Sequence, residues 1–385
     1  MKIGFIFGSG ISIPACLPST SEISLQVLSG TGVVRQGDGT YVVSSPRNII
    51  RDDYTPKIVK FLKILNSEID DYYTDFPDRI TNYEDLCYVA SQIHDSESGE
   101  YDNPVVGTLV KKLLEHHAQV FHKATDDGRH DLRMIDISAE ATNYIQDIAK
   151  SMLERAPKGI DHLEFIRDCR LDSDFENLDI FTLNHDTLVE QSVTAQNIPL
   201  IDGFDLPADG LRPWKPSLYE SATGKDIRLF KLHGSINWFW FDSRPNPILA
   251  IPLTKDIWHM GDKLPMPLSG RPEMLVGTFN KMLSYSKTAF SDLYCSLCKS
   301  LNNTARLVIS GFSFNDKAIN SRIIEWMISN NDRRLVIIHD EPPRLKLASR
   351  PAIARKIDQW IKDDRLRFVA KRIENTCWDE IRAQL

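Results

Sequence analysis

The sequence is poor in cysteine and contains no long apolar segment. Its six cysteines are scattered along 385 residues, which is too sparse for a disulfide framework in a chain of this size and fits a reducing compartment. No run of about 18 apolar residues is present, so the sequence predicts no transmembrane helix. The apolar run at residues 3–7 is too short for a secretory signal. We therefore expect a cytoplasmic protein that is not bound to a membrane.

Internal repeats and low-complexity segments are also absent, and the overall composition is ordinary. Hydrophobic residues make up 42% and charged residues 26% of the chain, as in typical soluble globular proteins. A chain of this length can form two or three domains and bury a substantial core.

The net charge of −7 is unevenly distributed along the chain. Residues 66–103 hold eleven Asp or Glu and one Arg, whereas residues 344–372 hold ten Lys or Arg and three Asp. Such segments are commonly solvated helix faces. They also fit acidic and basic surfaces that meet between subunits, or a basic segment that meets an acidic partner.

The distribution of apolar residues predicts a sheet domain with a helical insertion. Strand-like runs occur at residues 3–7, 178–183, 227–232, 248–253, 306–310, 334–338 and 366–370, and a hairpin at residues 33–43. Helical periodicity occurs at residues 55–74, 82–94, 104–123, 138–155, 187–196, 286–301, 316–330 and 351–362, with Pro104 and Ser138 at expected helix starts. Strands that alternate with helices predict an α/β fold, with a parallel sheet and crossover helices. We expect a sheet domain over residues 1–50 and 170–385 and a helical insertion over residues 51–169.

Three short polar motifs follow apolar strands, at the point where each strand ends. They are Gly8-Ser9-Gly10-Ile11-Ser12, Thr182-Leu183-Asn184-His185-Asp186 and Lys231-Leu232-His233-Gly234-Ser235. In open α/β sheets, ligands bind at the carboxyl edge of the strands. A glycine turn, an Asn and a His at three such ends therefore predict one nucleotide site assembled from all three motifs.

These motifs resemble the sirtuin family, and in particular its bacterial branch of NAD-consuming defence proteins. The family patterns G-A/S-G-x-S, T-x-N-x-D, K-L-H-G and G-x-S-x-x-D are matched at residues 8–12, 182–186, 231–234 and 311–316. An Ile-Pro segment with small residues follows the first motif at residues 13–20, as in the family. The resemblance covers residues 1–25 and 178–340.

The resemblance implies a Rossmann-like NAD-binding fold and a NAD hydrolase that gives nicotinamide and ADP-ribose. It further implies prokaryotic anti-phage defence by NAD depletion. Members of this branch act with a second component, such as a HerA-type hexameric ATPase or a prokaryotic Argonaute, or carry a sensor domain in the same chain. We expect NAD as the substrate, a homo-oligomer, a partner such as that ATPase, and no direct binding of nucleic acid.

Asn184 and His233 are the expected catalytic residues, because the resemblance places them where the family has its essential Asn and His. Cleavage of the nicotinamide–ribose bond expels a neutral pyridine, so no acid is required, and the cation-like sugar that remains must be captured. An Asn carboxamide can hold a water or a ribose hydroxyl, and a His can take a proton near neutral pH. A turn Asn and a hydrogen-bonded core His are the structural alternatives, and the adjacent His185 is a second candidate base.

The expected NAD-binding residues lie in the same motifs and at the end of the strand near residue 338. They are Gly8, Ser9, Gly10, Ser12, Asp186, Gly311, Ser313 and Asp340. The glycine turn can bring backbone amides close to a pyrophosphate, and the Asp340 carboxylate can accept hydrogen bonds from the adenosine ribose. Alternatively, Asp186 caps the helix after it, and Ser313 or Asn315 caps the helix that begins near residue 316.

The sequence departs from deacylating sirtuins in two places. Those enzymes carry a zinc module of two C-x-x-C pairs, whereas this chain has one pair, Cys295 and Cys298, in a helical segment. One pair does not supply four ligands, so we expect no metal. Residues 17–20, Leu-Pro-Ser-Thr, stand where deacylating sirtuins have Asp-Phe-Arg. The alternative functions are a protein deacylase or ADP-ribosyltransferase, and a catalytically silent nucleotide-binding scaffold for a partner ATPase or nuclease.

Overall fold

The computed structural model describes residues 1–43, 54–75, 79–100, 103–121, 132–222, 226–260, 265–278 and 280–385. The chain forms two compact units, which we call the sheet unit and the helical unit. The sheet unit comprises Met1–Ser19, Glu154–Leu275 and Lys281–Leu385, and the helical unit comprises Thr20–Leu153 and Val276–Asn280. The helical insertion expected over residues 51–169 stays a prediction about domain organisation.

Helices and strands are numbered in chain order within the described residues. The strands are β1 (Lys2–Phe7), β2 (Val33–Arg35), β3 (Tyr41–Val43), β4 (Asn177–Thr182), β5 (Leu200–Ile201), β6 (Leu211–Pro213), β7 (Ile227–Lys231), β8 (Phe239–Phe241), β9 (Ile248–Pro252), β10 (Arg306–Ser310), β11 (Arg334–Ile338) and β12 (Leu366–Val369). The helices are α1 (Thr20–Ser29), α2 (Thr55–Tyr73), α3 (Tyr83–Ser98), α4 (Val106–Phe121), α5 (Met134–Leu153), α6 (Phe165–Leu171), α7 (Leu188–Ala195), α8 (Asn280–Ser284), α9 (Thr288–Asn303), α10 (Lys317–Ser329), α11 (Pro342–Ala348), α12 (Pro351–Lys362) and α13 (Trp378–Arg382). None of these helices is long and apolar enough to cross a membrane.

A seven-stranded sheet forms the centre of the sheet unit. Its strand order is β12-β11-β10-β1-β4-β7-β5, and each pair of neighbours is parallel. β1 is flanked by β10 and β4, so the loops after these three strands leave the sheet at the same edge. The predicted α/β fold, with a Rossmann-like parallel sheet and crossover helices, is confirmed.

Helices cover both faces of this sheet, and consecutive residues of β1 point to opposite faces. Ile6 belongs to a buried cluster with Leu297 of α9 and Ile323 of α10. Phe5 belongs to a second cluster with Ile166 of α6 and residues of α7 and α13. Burial on both faces explains why β1 is a continuous apolar run rather than an alternation of apolar and polar residues.

One predicted strand belongs to a different sheet. The run at residues 248–253 forms β9, which pairs antiparallel with β6 and β8 in a separate three-stranded sheet. Apolar spacing predicts that a segment is extended, but it does not identify the strands with which that segment pairs. β5 is only two residues long, which is too short to produce a sequence signal.

The helical unit contains α1 to α5 and the β2–β3 hairpin, which confirms the hairpin predicted at residues 33–43. The Tyr41 N–H donates to Asp147 of α5 (3.0 Å), and the Tyr41 hydroxyl donates to Glu140 (2.7 Å), so the hairpin is held against that helix. The helix start predicted at Ser138 is wrong. α5 begins four residues earlier at Met134, and the Ser138 hydroxyl donates to the Met134 carbonyl oxygen (2.7 Å) inside the helix.

Candidate functional site

The glycine turn after β1 packs directly against the loop after β10. The Gly8 N–H donates to the Ser310 carbonyl oxygen and the Gly10 N–H donates to the Gly311 carbonyl oxygen, both at 3.0 Å. A Cβ atom on Gly8 would lie 2.4 Å from the Gly311 oxygen, and Gly311 itself has a φ of +67°. Glycine is therefore required here for the close approach of two loops, and the Gly8 and Gly10 amides are engaged within the protein.

The Asn184 side chain is buried and held at this turn by its amide nitrogen. Nδ2 lies 3.1 Å from the Gly8 carbonyl oxygen and 3.0 Å from the Ser12 hydroxyl. A carbonyl oxygen only accepts hydrogen bonds, so the side-chain orientation with Nδ2 toward Gly8 follows from the chemistry. Both contacts use Nδ2, and Oδ1 is the atom that can accept from a ligand.

Ser12 and Asp186 continue this network within the protein. The Ser12 hydroxyl donates to Asp186 Oδ2 (2.7 Å), and the Leu188 N–H donates to Asp186 Oδ1 (3.0 Å). Asp186 thus holds the first residue of α7, whose N-cap is Thr187, and also fixes Ser12, which in turn accepts from Asn184. The single hydroxyl proton of Ser12 is used in this contact. Direct contacts of Ser12 and Asp186 with NAD stay predictions.

A buried lysine anchors the loop that carries Asn184. Lys231, at the end of β7, donates to the Asp186 carbonyl oxygen and lies 3.0 Å from Glu190 Oε1. Burial raises the pKa of Glu190, and the charge of Lys231 opposes that effect. The sequence contained Lys231 within a motif, but it gave no signal that Glu190 is the partner.

His233 is the centre of a second buried network. Its side chain is 3% exposed, its Nδ1 lies 3.1 Å from the Leu183 carbonyl oxygen, and its Nε2 lies 2.8 Å from the Tyr285 hydroxyl and 3.1 Å from Asp316 Oδ2. Sequence reasoning quoted Asp316 in a motif without a role and missed Tyr285 entirely. Leu183 directly precedes Asn184 in the chain. The contact between His233 and the Leu183 carbonyl oxygen therefore joins the two expected catalytic residues through the backbone.

His185 is buried beside His233, with 6.2 Å between the ring centres. Burial, and then the charges of His233, Lys281 and Lys231, hold the pKa of His185 well below its ordinary value. Its Nδ1 has no hydrogen-bond partner in the described structure. Asn184 and His185 both lie beyond the last residue of β4, so the alternation of side chains along a strand does not decide which of them faces a ligand.

A cavity of about 500 Å³ opens at the ends of β10 and β11. Among its lining residues are Gly10, Gly311, Ser313 and Asp340, four of the expected NAD-binding residues, whereas Asn184 and His233 do not line it. Asp340 is exposed and accepts a hydrogen bond from Arg372 at 2.8 Å, which lowers its pKa. The cavity is large enough for one half of a dinucleotide.

Ser313 and Asn315 do not cap α10. The cap is Asp316, whose Oδ1 accepts from the Ile319 N–H at 3.0 Å. Asn315 Nδ2 instead donates to the exposed Ser313 hydroxyl at 3.1 Å. Ser9 is also exposed. The structure therefore groups Ser12, Asn184 and Asp186 in one buried network and Gly10, Gly311, Ser313 and Asp340 at the cavity.

The two cysteines of the C-x-x-C pair lie on α9 and are free thiols. The Cys298 sulfur lies 3.7 Å from an Arg322 guanidinium nitrogen. No group of three or more His, Cys, Asp or Glu residues within the described ranges is placed to hold a metal ion. The expected absence of a metal stays a prediction.

Residues 179–368 match the model of the SIR2-like domain family. No curated protein shows a significant match. A mutant Sir2 homologue in complex with 2'-O-acetyl ADP ribose is similar, with 12% identity, a TM-score of 0.38, and coverage of 100% of this chain and 91% of that chain. Sir2 bound to an acetylated peptide is similar with 9% identity, a TM-score of 0.33, and coverage of 99% and 91%.

Proposed function

We propose that this chain is a NAD hydrolase that cleaves the nicotinamide–ribose bond and releases nicotinamide and ADP-ribose. The observation that carries the proposal is that Asn184 and His233 lie side by side at the carboxyl ends of β4 and β7, within the segment that matches the SIR2-like domain family. Ligands of open α/β folds bind at this edge.

In this proposal Asn184 holds a ribose hydroxyl or the attacking water with its Oδ1, because Nδ2 is committed to Gly8 and Ser12. A fixed amide is preorganised, and it adds no second titrating group at the reacting centre. His233 takes the proton that is released when the cation-like sugar is captured. Ser12 and Asp186 hold Asn184 in position.

The adenosine half of NAD would occupy the cavity at the ends of β10 and β11 in this proposal. The cavity offers the exposed Ser313 hydroxyl and the Asp340 carboxylate as polar groups. Gly10 and Gly311 line it as well, so their backbone would form part of the wall against which the ligand lies. Gly8 and Ser9 would border the path from this cavity to Asn184.

The first experiment is to incubate the purified chain with NAD and separate the products by chromatography. We expect nicotinamide and ADP-ribose in equal amounts, and no products from the Asn184→Ala variant. An acetylated peptide added to a parallel reaction tests the deacylase alternative, since transfer of the acetyl group would give O-acetyl ADP-ribose instead. NAD that binds but is never cleaved, with or without a partner protein, would indicate a silent nucleotide-binding scaffold and contradict the proposal.

We further propose a role in anti-phage defence, with a HerA-type hexameric ATPase as a partner that controls access to the site. A NAD hydrolase that is always active would deplete its own cell, so its activity must be gated. The acidic residues 66–103 and the basic residues 344–372 would mediate contacts in a homo-oligomer through complementary charge. Several basic residues are already paired within the sheet unit, including Lys346 with Asp358 and Arg367 with Asp364.

Assembly through charged surfaces should depend on salt. Screening weakens contacts between exposed charges beyond a Debye length of about 8 Å at 0.15 M ionic strength, so the expected oligomer should dissociate, at least in part, as salt is raised. Light scattering at low and high salt measures this change. A monomer under both conditions, together with NAD cleavage that no candidate ATPase changes, would refute the assembly scheme.

A further inference from the structure

The imidazole of His233 has hydrogen-bond partners on both ring nitrogens. Nδ1 faces the Leu183 carbonyl oxygen at 3.1 Å, and this oxygen only accepts, so Nδ1 must carry a proton. Nε2 faces Asp316 Oδ2 at 3.1 Å and the Tyr285 hydroxyl at 2.8 Å. The state of Nε2 therefore decides whether the ring is neutral or charged.

The contact with Asp316 favours a proton on Nε2. In a neutral ring, the lone pair of Nε2 would face a carboxylate oxygen at hydrogen-bond distance, and the two would repel each other. In an imidazolium, Nε2–H donates to Asp316, and the Tyr285 hydroxyl can donate to the same carboxylate oxygen at 3.4 Å. Burial by itself would raise the Asp316 pKa, but the hydrogen bond and charge of His233, with Lys281, lower it to about 2.

The neighbouring groups His185, Lys231 and Lys281 do not supply a competing negative charge. His185 lies 6.2 Å away between ring centres, and its low pKa keeps it neutral. Lys231 and Lys281 act on His185 as positive charges, as does His233 itself. Tyr294 stacks on Tyr285 with 4.7 Å between ring centres and contributes no charge to the site. Asp316 is thus the carboxylate that faces the imidazole.

We propose that Asp316 is the positioning residue of His233, and that it holds His233 as an imidazolium in the protein without substrate. Tyr285 supports this arrangement by donating to the same carboxylate. The role of His233 as a base rests on the proposed function, and an imidazolium cannot accept a proton. The base becomes available only when Nε2 has released its proton to water, so NAD cleavage should rise with pH as His233 deprotonates.

The substitution Asp316→Asn removes the negative charge of the side chain and keeps its shape. Asn is as good a helix N-cap as Asp, so the contact with the Ile319 N–H at the start of α10 can be kept. The negative charge beside Nε2 is removed. Coupling between two charges is reciprocal, so the charge that lowers the Asp316 pKa also stabilises the imidazolium. Without the carboxylate, His233 should lose its proton at a lower pH.

The protonation state can be measured by NMR on the full-length chain with isotope-labelled histidine rings. The His233 signals are identified by their loss in the His233→Gln variant. We expect imidazolium signals at pH 7, where an ordinary histidine with a pKa near 6.5 is mostly neutral. In Asp316→Asn, the midpoint of the His233 titration should fall by about one to two pH units, and the midpoint of the pH–rate profile for NAD cleavage should fall with it.

The matched control is the exposed pair of His259 and Asp256, whose Nδ1–Oδ2 distance is 3.2 Å, close to that of the buried pair. Asp256→Asn removes the same charge and should leave the His233 midpoint unchanged. If Asp316→Asn does not fold, Tyr285→Phe keeps the carboxylate, and His233 should remain an imidazolium at pH 7.

A neutral His233 at pH 7 in the unaltered chain or in Tyr285→Phe would overturn the proposal. An unchanged titration midpoint in folded Asp316→Asn would overturn it as well. These readouts need no NAD, so a chain that fails to cleave NAD would contradict the proposed function and still give a clear result on Asp316.

Discussion

Asn184→Ala and His233→Ala should each lower the rate of NAD cleavage by about a hundredfold or more. Asn184→Ala removes the oxygen that we propose holds the ribose hydroxyl or water, and His233→Ala removes the proton acceptor. Initial rates of nicotinamide release at saturating NAD measure the loss. Turnover at the normal rate by either folded variant would contradict the catalytic assignment.

Because the side chains of Asn184 and His233 are buried, each variant needs a test of folding as a control. The sequence analysis placed both side chains at strand ends in a ligand site, but they are only 6% and 3% exposed and are hydrogen-bonded. His233→Ala leaves Asp316 and the Leu183 oxygen without this partner, which should cost about 1–3 kcal/mol of stability. A thermal melt must therefore accompany each assay. His185→Phe changes the adjacent buried ring and should lower cleavage far less than His233→Ala does.

Gly311→Ala should destabilise the sheet unit strongly, by roughly 2–5 kcal/mol. A Cβ atom at this position would lie 2.5 Å from the Ile11 backbone nitrogen, and the φ of +67° is unfavourable for alanine. Relief of the clash would push the Gly8–Ser12 turn away from the loop after β10. Because Asn184 Nδ2 contacts Gly8 and Ser12 in that turn, NAD binding should be lost as well. Denaturant unfolding and NAD titration measure the two effects.

Gly32→Ala is the matched control for Gly311→Ala. Gly32 lies in the helical unit and has nearly the same φ, +68°, but no atom lies within 4 Å of its Cβ position. It therefore reports backbone strain without a clash. Equal losses of stability in the two variants would show that the close approach of the two loops contributes nothing, which is contrary to our interpretation of Gly8 and Gly311.

Much of the sheet could be predicted from local apolar patterns. β1, β4, β7, β10, β11 and β12 all coincide with predicted strand-like runs, because both faces of a parallel sheet are buried and each strand is therefore mostly apolar. The same patterns could not assign β9 to the second sheet. They also could not predict α1, which falls in a segment without a recognised signal.

The contacts of the candidate site could be predicted less well than its residues. The motifs marked Asn184, His233 and Asp186, but they did not indicate that Asp186 accepts hydrogen bonds both from the first residue of α7 and from Ser12. The contact of His233 with Asp316 spans 83 residues of sequence and that with Tyr285 spans 52. No local periodicity carries information about partners at such separations.

The order of strands along the chain, the polar motifs at their carboxyl ends and the presence of a glycine turn after β1 can be read from the local sequence. The spacing of apolar residues that marks a buried strand extends over only a few residues, so a short segment of sequence is enough to recognise these features. The neighbours of each strand, the contact that requires glycine at residues 8 and 311, and the partners of Asn184 and His233 arise only when distant segments pack. These contacts depend on the free energy of all the groups that are buried together in the folded protein. They therefore cannot be predicted from any single segment of the chain.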